Sequence, residues 1–428
     1  MNRREFNRNL GFLSIGAFPG LFSCINLNKT HPTFLIISGW QTVNIGDIAH
    51  TPGLLALIDK FFPNAQYYLW PRDIENYGVE EMLKKYFPKL KILKTNKPGE
   101  TDITMTDEIK SVFDKCDVLL HGSGPHVLEI YKIKLWIEHT EKPFGVCGVT
   151  EQEMYPELRG IIEKSDFFFT RETASLKIVR DYLENDKPTG FFPDATFNLN
   201  IHNEPKALNL LNQFGLKDKE FICMVPRLRY TPYYKIHDYV NWNQEKINEV
   251  NRVNDQYKKI DHEKLRTVMI NWVKDTGKSV LICPEMSYQI DIMDELLINP
   301  LPDHIKQNVF KKSEYWITDE AASVYKRAFA VISMECHSPI ISYANHTPAF
   351  YIRQKEDTIK GQMYHDIGLS DWVFEIEEVD GDLIYNKLKE LIDNYQFAGK
   401  KISDAYRIIN KQYQTSFEVI KETIEHSC

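Results

Sequence analysis

From residue 34 onward the chain repeats one unit: a short apolar run, a turn, then an amphipathic stretch. Apolar runs without polar alternation are the pattern of strands buried on both faces, and the intervening helical patterns supply the covering layers. Strand-like runs fall at 34–37, 66–69, 92–94, 118–120, 144–149, 167–170 and 190–193, with helical patterns at 48–61, 79–87, 109–115 and 174–183. A second series starts near Lys206, with runs at 221–225, 280–283, 315–317, 330–334 and 349–352. The alternation predicts an α/β fold of two Rossmann-like domains, 33–200 and 205–400, joined by a polar linker and facing across a cleft. A last helical pattern over 401–428 is expected to pack back on the first domain.

Aromatic residues make up 12% of the chain, and one group of them interrupts the rhythm. Residues 230–261 hold Tyr230, Tyr233, Tyr234, Tyr239, Trp242 and Tyr257 amid Asn and Lys, with no strand signal. A long insertion of this kind in a compact domain reads as a lid or a disordered loop. Its rings offer flat faces for stacking sugars, or they pack the loop onto its domain. Composition leaves both open.

Residues 1–24 read as an address. Arg3 and Arg4 precede a weakly apolar run from Leu10 to Leu21, which ends in Leu21-Phe22-Ser23-Cys24. The run is shorter than the ~20 residues a spanning helix needs. The order of arginine pair, run and cysteine predicts a twin-arginine, lipoprotein-type signal. The protein is then expected in the periplasm, tethered through 25–32, with a lipid at Cys24 as its membrane link. A formal charge of −8 argues against a nucleic-acid partner. Cys116, Cys147, Cys223 and Cys283 lie in or beside apolar runs, as small buried hydrophobes do. No Cys-x-x-Cys pair or zinc-ligand spacing occurs, and neither a metal nor a cofactor is expected.

Asn44-Ile45-Gly46-Asp47 follows the first run and opens a helix. Free N–H groups there suit an anion and Gly46 permits close approach, while Asn44 serves equally well as an N-cap. Asn44 and Asp47 are expected on one wall of the cleft. His121-Gly122-Ser123-Gly124-Pro125-His126, after another run, reads as cleft floor. Arg171 ends a further run; its fork suits a substrate carboxylate or phosphate, or pairs with a neighbouring acid. Arg227 and Arg229 repeat the pattern in the second half. The richest segment is Ser333-Met334-Glu335-Cys336-His337-Ser338-Pro339, at a strand-to-helix junction. If strand geometry persists there, Glu335 and His337 point to one face as a catalytic carboxylate–imidazole pair.

These segments, in this order, resemble the polysaccharide pyruvyl transferase family. The matching points are Asn44-Ile45-Gly46-Asp47, Gly122-Ser123-Gly124, Arg171-Glu172 to Ser175, Asp194-Ala195-Thr196-Phe197, and Glu335 to Pro348 followed by Lys360 and Asp366-Ile367-Gly368-Leu369. The resemblance implies a GT-B-like arrangement of the two domains. It also implies transfer of a pyruvyl group from phosphoenolpyruvate to a polysaccharide or oligosaccharide as a ketal. Arg171 and an Arg-x-His element are then expected to hold the anionic donor, with Lys360 in the substrate site and the histidine close to the chemistry. Glu335 stands where that element has its arginine. Together with the export signal, this opens a second reading, an exported hydrolase or lyase that uses Glu335 and His337 on pyruvylated or uronic acid-containing polysaccharide. A third is a glycan-binding protein without turnover.

Overall fold

The computed structural model describes residues 31–95, 99–101, 103–183 and 187–427, so the signal and lipidation site expected within 1–24 lie outside the described residues. The first half carries β1 (Thr33–Ser38), β2 (Gln66–Pro71), β3 (Lys91–Ile92), β4 (Val118–His121), β5 (Phe144–Val149), β6 (Phe167–Thr170) and β7 (Thr189–Phe191). The second carries β8 (Phe221–Val225), β9 (Ser279–Ile282), β10 (Val309–Lys311), β11 (Ala330–Ser333), β12 (Ala349–Arg353) and β13 (Val373–Glu375). Their sheets run β3-β2-β1-β4-β5-β6-β7 and β10-β9-β8-β11-β12-β13, and every strand pair is parallel. The architecture is two doubly wound α/β domains. Runs such as FICMV in β8 and FGVCGV in β5 are buried at every position, as sheets covered on both faces require.

The halves are joined at the N-terminus of the helix Ile45–Phe61. Ile45 N donates to Glu285 O at 3.0 Å and Ser287 N to Val43 O at 3.0 Å, a short backbone seam between the loop after β1 and the loop after β9. Thr318 of the second half closes the seam by donating its hydroxyl to Ile45 O. At the other end of the chain, the helix Tyr395–His426 crosses back onto the first half. Phe417 stacks on Phe61 with ring centroids 4.4 Å apart, and the hydroxyls of Tyr406 and Tyr413 donate to Phe197 O and Asp194 O, both at 2.8 Å. Among the described residues no helix is long and apolar enough to cross a membrane.

Three segments differ from the expectations drawn from the sequence. The apolar run 315–317 is not a strand but the approach to the helix Thr318–Arg327; the third strand of that side is β10. Trp316 and Ile317 are buried all the same, because the Trp316 indole N–H donates to Pro284 O at 2.7 Å and anchors the loop by a side chain instead of a ladder. Strand β13 has only three residues, partly exposed, too short for a periodic signal. The insertion 230–261 is half helix. Asn243 caps the helix Gln244–Thr276 by accepting from Lys246 N at 2.9 Å, and Gly277 ends it at φ 67°. That helix looks polar because its first half buries little more than Val250, Val253 and Asn254.

The docked helix makes a direct prediction. Phe417→Ala opens a hole against Phe61 and Phe192 and is expected to cost about 3 kcal/mol, read as a lower midpoint in urea unfolding. A loss under about 1 kcal/mol would show that the helix is not seated on the first half.

Candidate functional site

In both sheets the strand order reverses beside the first strand, since β1 lies between β2 and β4, and β8 between β9 and β11. Crevices open at the carboxyl ends of strands at such switch points. The loops leaving β1, β6, β8 and β11 meet at one cleft of about 360 Å³, lined by Asn44, Asp47, Arg171, Arg227, Glu335 and His337 as well as Lys360 and Arg72. Asn44 caps the helix after β1; its Oδ1 accepts from Gly46 N at 2.7 Å and Asp47 N at 3.3 Å. Asp47, the third residue of the helix, accepts from the Gln41 amide. Gly46 is required here because a Cβ would sit 2.3 Å from the His337 ring.

The floor of the cleft is built on Asp194, which follows β7. Its Oδ1 accepts from His50 Nδ1 at 3.0 Å, its Oδ2 from Arg171 Nη1 at 2.9 Å, and His337 Nε2 stands 3.8 Å from Oδ2. Burial opposes ionisation of Asp194, but His50, His337 and Arg171 hold its carboxyl well below the ordinary range. On the other side of His337, Glu285 Oε1 lies 3.5 Å from Nδ1. Glu285 is itself fixed by Ser338, whose N and Oγ donate to Oε2 at 2.6 and 2.7 Å. Burial works against a charge on His337, yet Cys336, Asp194 and Glu285 push its pKa well above the usual histidine value. The coordinating atoms of His50, Asp194 and His337 lie within 4.8 Å of one another, a donor set suited to transition metals. Arg171 neutralises the same carboxylate, and a cation there competes with it.

Glu335 and His337 both line the cleft, but they do not form the pair expected from their spacing. The strand ends at Ser333, whose Oγ accepts from Glu335 N and donates to Glu335 O at 2.9 and 2.7 Å; that tight turn destroys the two-residue alternation. The imidazole therefore takes Asp194 and Glu285 as its carboxylates. Glu335 instead accepts from Gln289 Nε2 at 2.8 Å and faces Arg227 Nε at 3.4 Å. Burial pushes its pKa up to about 8, only partly offset by Arg227 and reinforced by the charge of Glu285. Arg227 also pairs with Asp357, which holds Lys360 Nζ at 3.2 Å. Nε of Arg227 and Nε2 of His337 make no hydrogen bond within the described residues.

Two expected site residues lie elsewhere. Ser123 is fully buried behind the cleft, where its Oγ accepts from Ala195 N at 3.0 Å. Arg229 lies outside the lining; its guanidinium is taken up by Asp261, Glu356 and Glu377 and lies 3.9 Å over the Tyr257 ring. The end of strand alternation explains this: Arg227 and Arg229 follow a strand that stops at Val225, and the loop turns the second arginine into its own domain. Sequence reasoning passed over His50, Glu285, Gln289, Asp357 and Arg72. Only His50 carried a usable signal, one helical turn beyond Asp47 on the same face.

The fold is a GT-B-like arrangement of two Rossmann-like domains. HepE from Anabaena in complex with UDP and glucose superposes with a TM-score of 0.53 at 10% identity, over 92% of this chain and 99% of that one. The UDP-GlcNAc 2-epimerase from Neisseria meningitidis bound to UDP-GlcNAc gives 0.52 at 12% identity, over 91% and 99%. Medicago truncatula UGT71G1 complexed with UDP-glucose gives 0.51 at 10%, over 92% and 99%. At such identities the likeness is one of fold. A sequence comparison with curated proteins finds no match. The chain belongs to the polysaccharide pyruvyl transferase family, whose profile matches residues 44–356.

The environment of Glu335 yields a pH prediction. A carboxyl raised from 4.5 to about 8 by folding contributes stability that is present below pH 4.5 and lost as pH rises through 8. Glu335→Gln removes that loss. Its melting temperature relative to wild type is expected to climb between pH 4.5 and pH 8; a gap independent of pH would overturn the assignment.

Proposed function

We propose that the protein transfers the pyruvyl group of phosphoenolpyruvate to two hydroxyls of a glycan, forming a ketal and releasing phosphate. The reading rests above all on one observation: Arg171, Arg227, Lys360 and His337, whose charged form its carboxylates favour, line the same cleft as Glu335, a carboxyl neutral enough to act as an acid. Phosphoenolpyruvate carries a carboxylate and a phosphate, and fixed cations in a water-poor cleft suit both. A protonated Glu335 does not repel them, and Arg227 reaches the same spot from β8, so a guanidinium serves the position where the family has its arginine.

In this reading Glu335 gives its proton to the methylene carbon of the donor while an acceptor hydroxyl oxygen bonds to the adjacent carbon. The hydroxyl proton restores Glu335. The carbon–oxygen bond to phosphate then breaks, a second hydroxyl bonds to the same carbon, and its proton departs with the phosphate. Donor and diol are converted to ketal and inorganic phosphate with no further reactant. Arg171, Arg227 and His337 bind charge that shifts toward the leaving group, which is where such contacts lower a barrier.

Phosphate release from phosphoenolpyruvate in the presence of pyruvylatable glycans tests the proposal. Glu335→Gln is expected to lower kcat by roughly 10²–10⁴-fold, and Arg171→Ala to weaken use of the donor. No release across a broad acceptor panel sinks it. The leader-like residues 1–24 favour the second reading, an exported hydrolase or lyase, because phosphoenolpyruvate is a cytosolic metabolite. That reading expects free pyruvate, new reducing ends or unsaturated products from acidic polysaccharides without added donor. Export to the periplasm with a lipid at Cys24 is proposed separately from the donor, and it goes with this second reading. The protein is expected in the membrane fraction, and Cys24→Ser is expected to release it; an unchanged distribution contradicts the anchor.

A further inference from the structure

Arg171 and Arg227 face the same cleft but are held differently. Arg227 is tied at one end, by Asp357 on Nη1, and its Nε makes no hydrogen bond within the described residues. Arg171 is tied twice. Its Nη1 donates to Asp194 at 2.9 Å, and its Nε donates to the Thr150 hydroxyl at 2.7 Å. None of the described residues accepts from Nη2. Two corners of the guanidinium are thus committed inward, and the third is left for the cleft that Arg171 lines.

A bulge in β5 supplies the hydroxyl. Cys147 pairs with Phe169 and Val149 with Thr170, so Gly148 is an extra residue, and it stands at φ 80°. A strand without it would bring Val149 abreast of Arg171, and a valine has no acceptor for Nε. The bulge brings Thr150 instead, the kind of re-aiming that an inserted residue performs.

A hydroxyl can donate only one proton, and Glu172 takes that of Thr150: Oγ1 donates to Glu172 Oε2 at 2.9 Å. With its proton committed, the oxygen turns its lone pairs to Arg171 and accepts. The Ser175 hydroxyl donates to the other oxygen of Glu172 and itself accepts from Glu151 N at 2.7 Å. Glu172 Oε2 stands 3.9 Å from Arg171 Nε, bridged by the Thr150 hydroxyl. All three residues are buried, where such hydrogen bonds are electrostatically stronger than in water.

We propose that Thr150 is a positioning residue for anion binding: oriented by Glu172, its hydroxyl holds the Arg171 guanidinium with the free corner toward a ligand carboxylate or phosphate. An untethered arginine loses rotamer freedom when a ligand orders it. One already fixed does not, so the same contact binds more tightly. The proposal rests on the transferase reading only for phosphoenolpyruvate as the anion.

Calorimetric titration of the full chain with phosphoenolpyruvate, and separately with inorganic phosphate and with pyruvate, tests it. Thr150→Val removes the hydroxyl and keeps the shape, Thr150→Ala removes it without adding a methyl, and Thr150→Ser keeps it. Both deletions are expected to weaken phosphoenolpyruvate binding about tenfold, and Thr150→Ser no more than about threefold. Glu172→Ala, which frees the hydroxyl to rotate, is expected to weaken binding in the wild type but not alongside Thr150→Val. In an Arg171→Ala background Thr150→Val is expected to cost nothing further, because the hydroxyl acts only through that guanidinium. A threonine that merely supports the fold would lower affinity in both backgrounds. Binding unchanged in both deletions, a serine variant as weak as the valine one, or losses that add in either double variant overturns the proposal. So does a wild type that binds none of the three anions. Hydroxyl-dependent binding of phosphate or pyruvate without any of phosphoenolpyruvate removes the donor and leaves the role of Thr150 standing.

Discussion

Asp194 joins both halves of the molecule in one buried carboxylate. It takes His50 from the helix after β1, Arg171 from the end of β6 and, at longer range, His337 from the second domain. A charge held this way is strongly conditional on its partners, since removing one from a buried pair costs about 3–5 kcal/mol. Bringing them together requires close backbone approach, and two glycines of one helix provide it. A Cβ at Gly46 would strike the His337 ring, and one at Gly53 would lie 2.1 Å from Ala195 O, next to Asp194 itself. The seam between Ile45 and Glu285 then locks the helix against the second domain.

From that anchor the site acquires two layers of charge. Asp194, Glu285 and Asp357 sit behind; Arg171, His337, Arg227 and Lys360 stand in front, lining the cleft. Buried carboxylates keep the cations charged and fix their directions, so an anionic ligand meets donors that need no reorganisation. Glu335 is the exception in the front row. Gln289 and Arg227 hold it, yet burial and the charge of Glu285 keep its proton on near neutral pH. The same cleft thus contains fixed positive charge and a transferable proton.

The strand-and-helix rhythm was readable because buried parallel strands show as unbroken apolar runs, and β5, β8 and β11 stand almost where those runs lie. It failed where burial comes without a ladder, as at Trp316, and where a helix buries only a thin stripe, as in Gln244–Thr276. Among the site residues, Arg171, Arg227, Glu335 and His337 were legible as polar groups at strand ends. Asp357 and Glu285 were not, because each matters only through a partner distant in the chain, 130 residues in the case of Arg227 and Asp357.

Local order alone determined the alternating α/β architecture, the cap at Asn44 and the family-like order of motifs, since these depend on neighbours within a few residues. Tertiary structure decided which charges meet. It gave His337 to Asp194 and Glu285 instead of Glu335, withdrew Arg229 and Ser123 from the cleft, and raised the Glu335 pKa by desolvation. Electrostatic energy and burial depend on distance in space, and a linear chain carries no such distances until two sheets have fixed them.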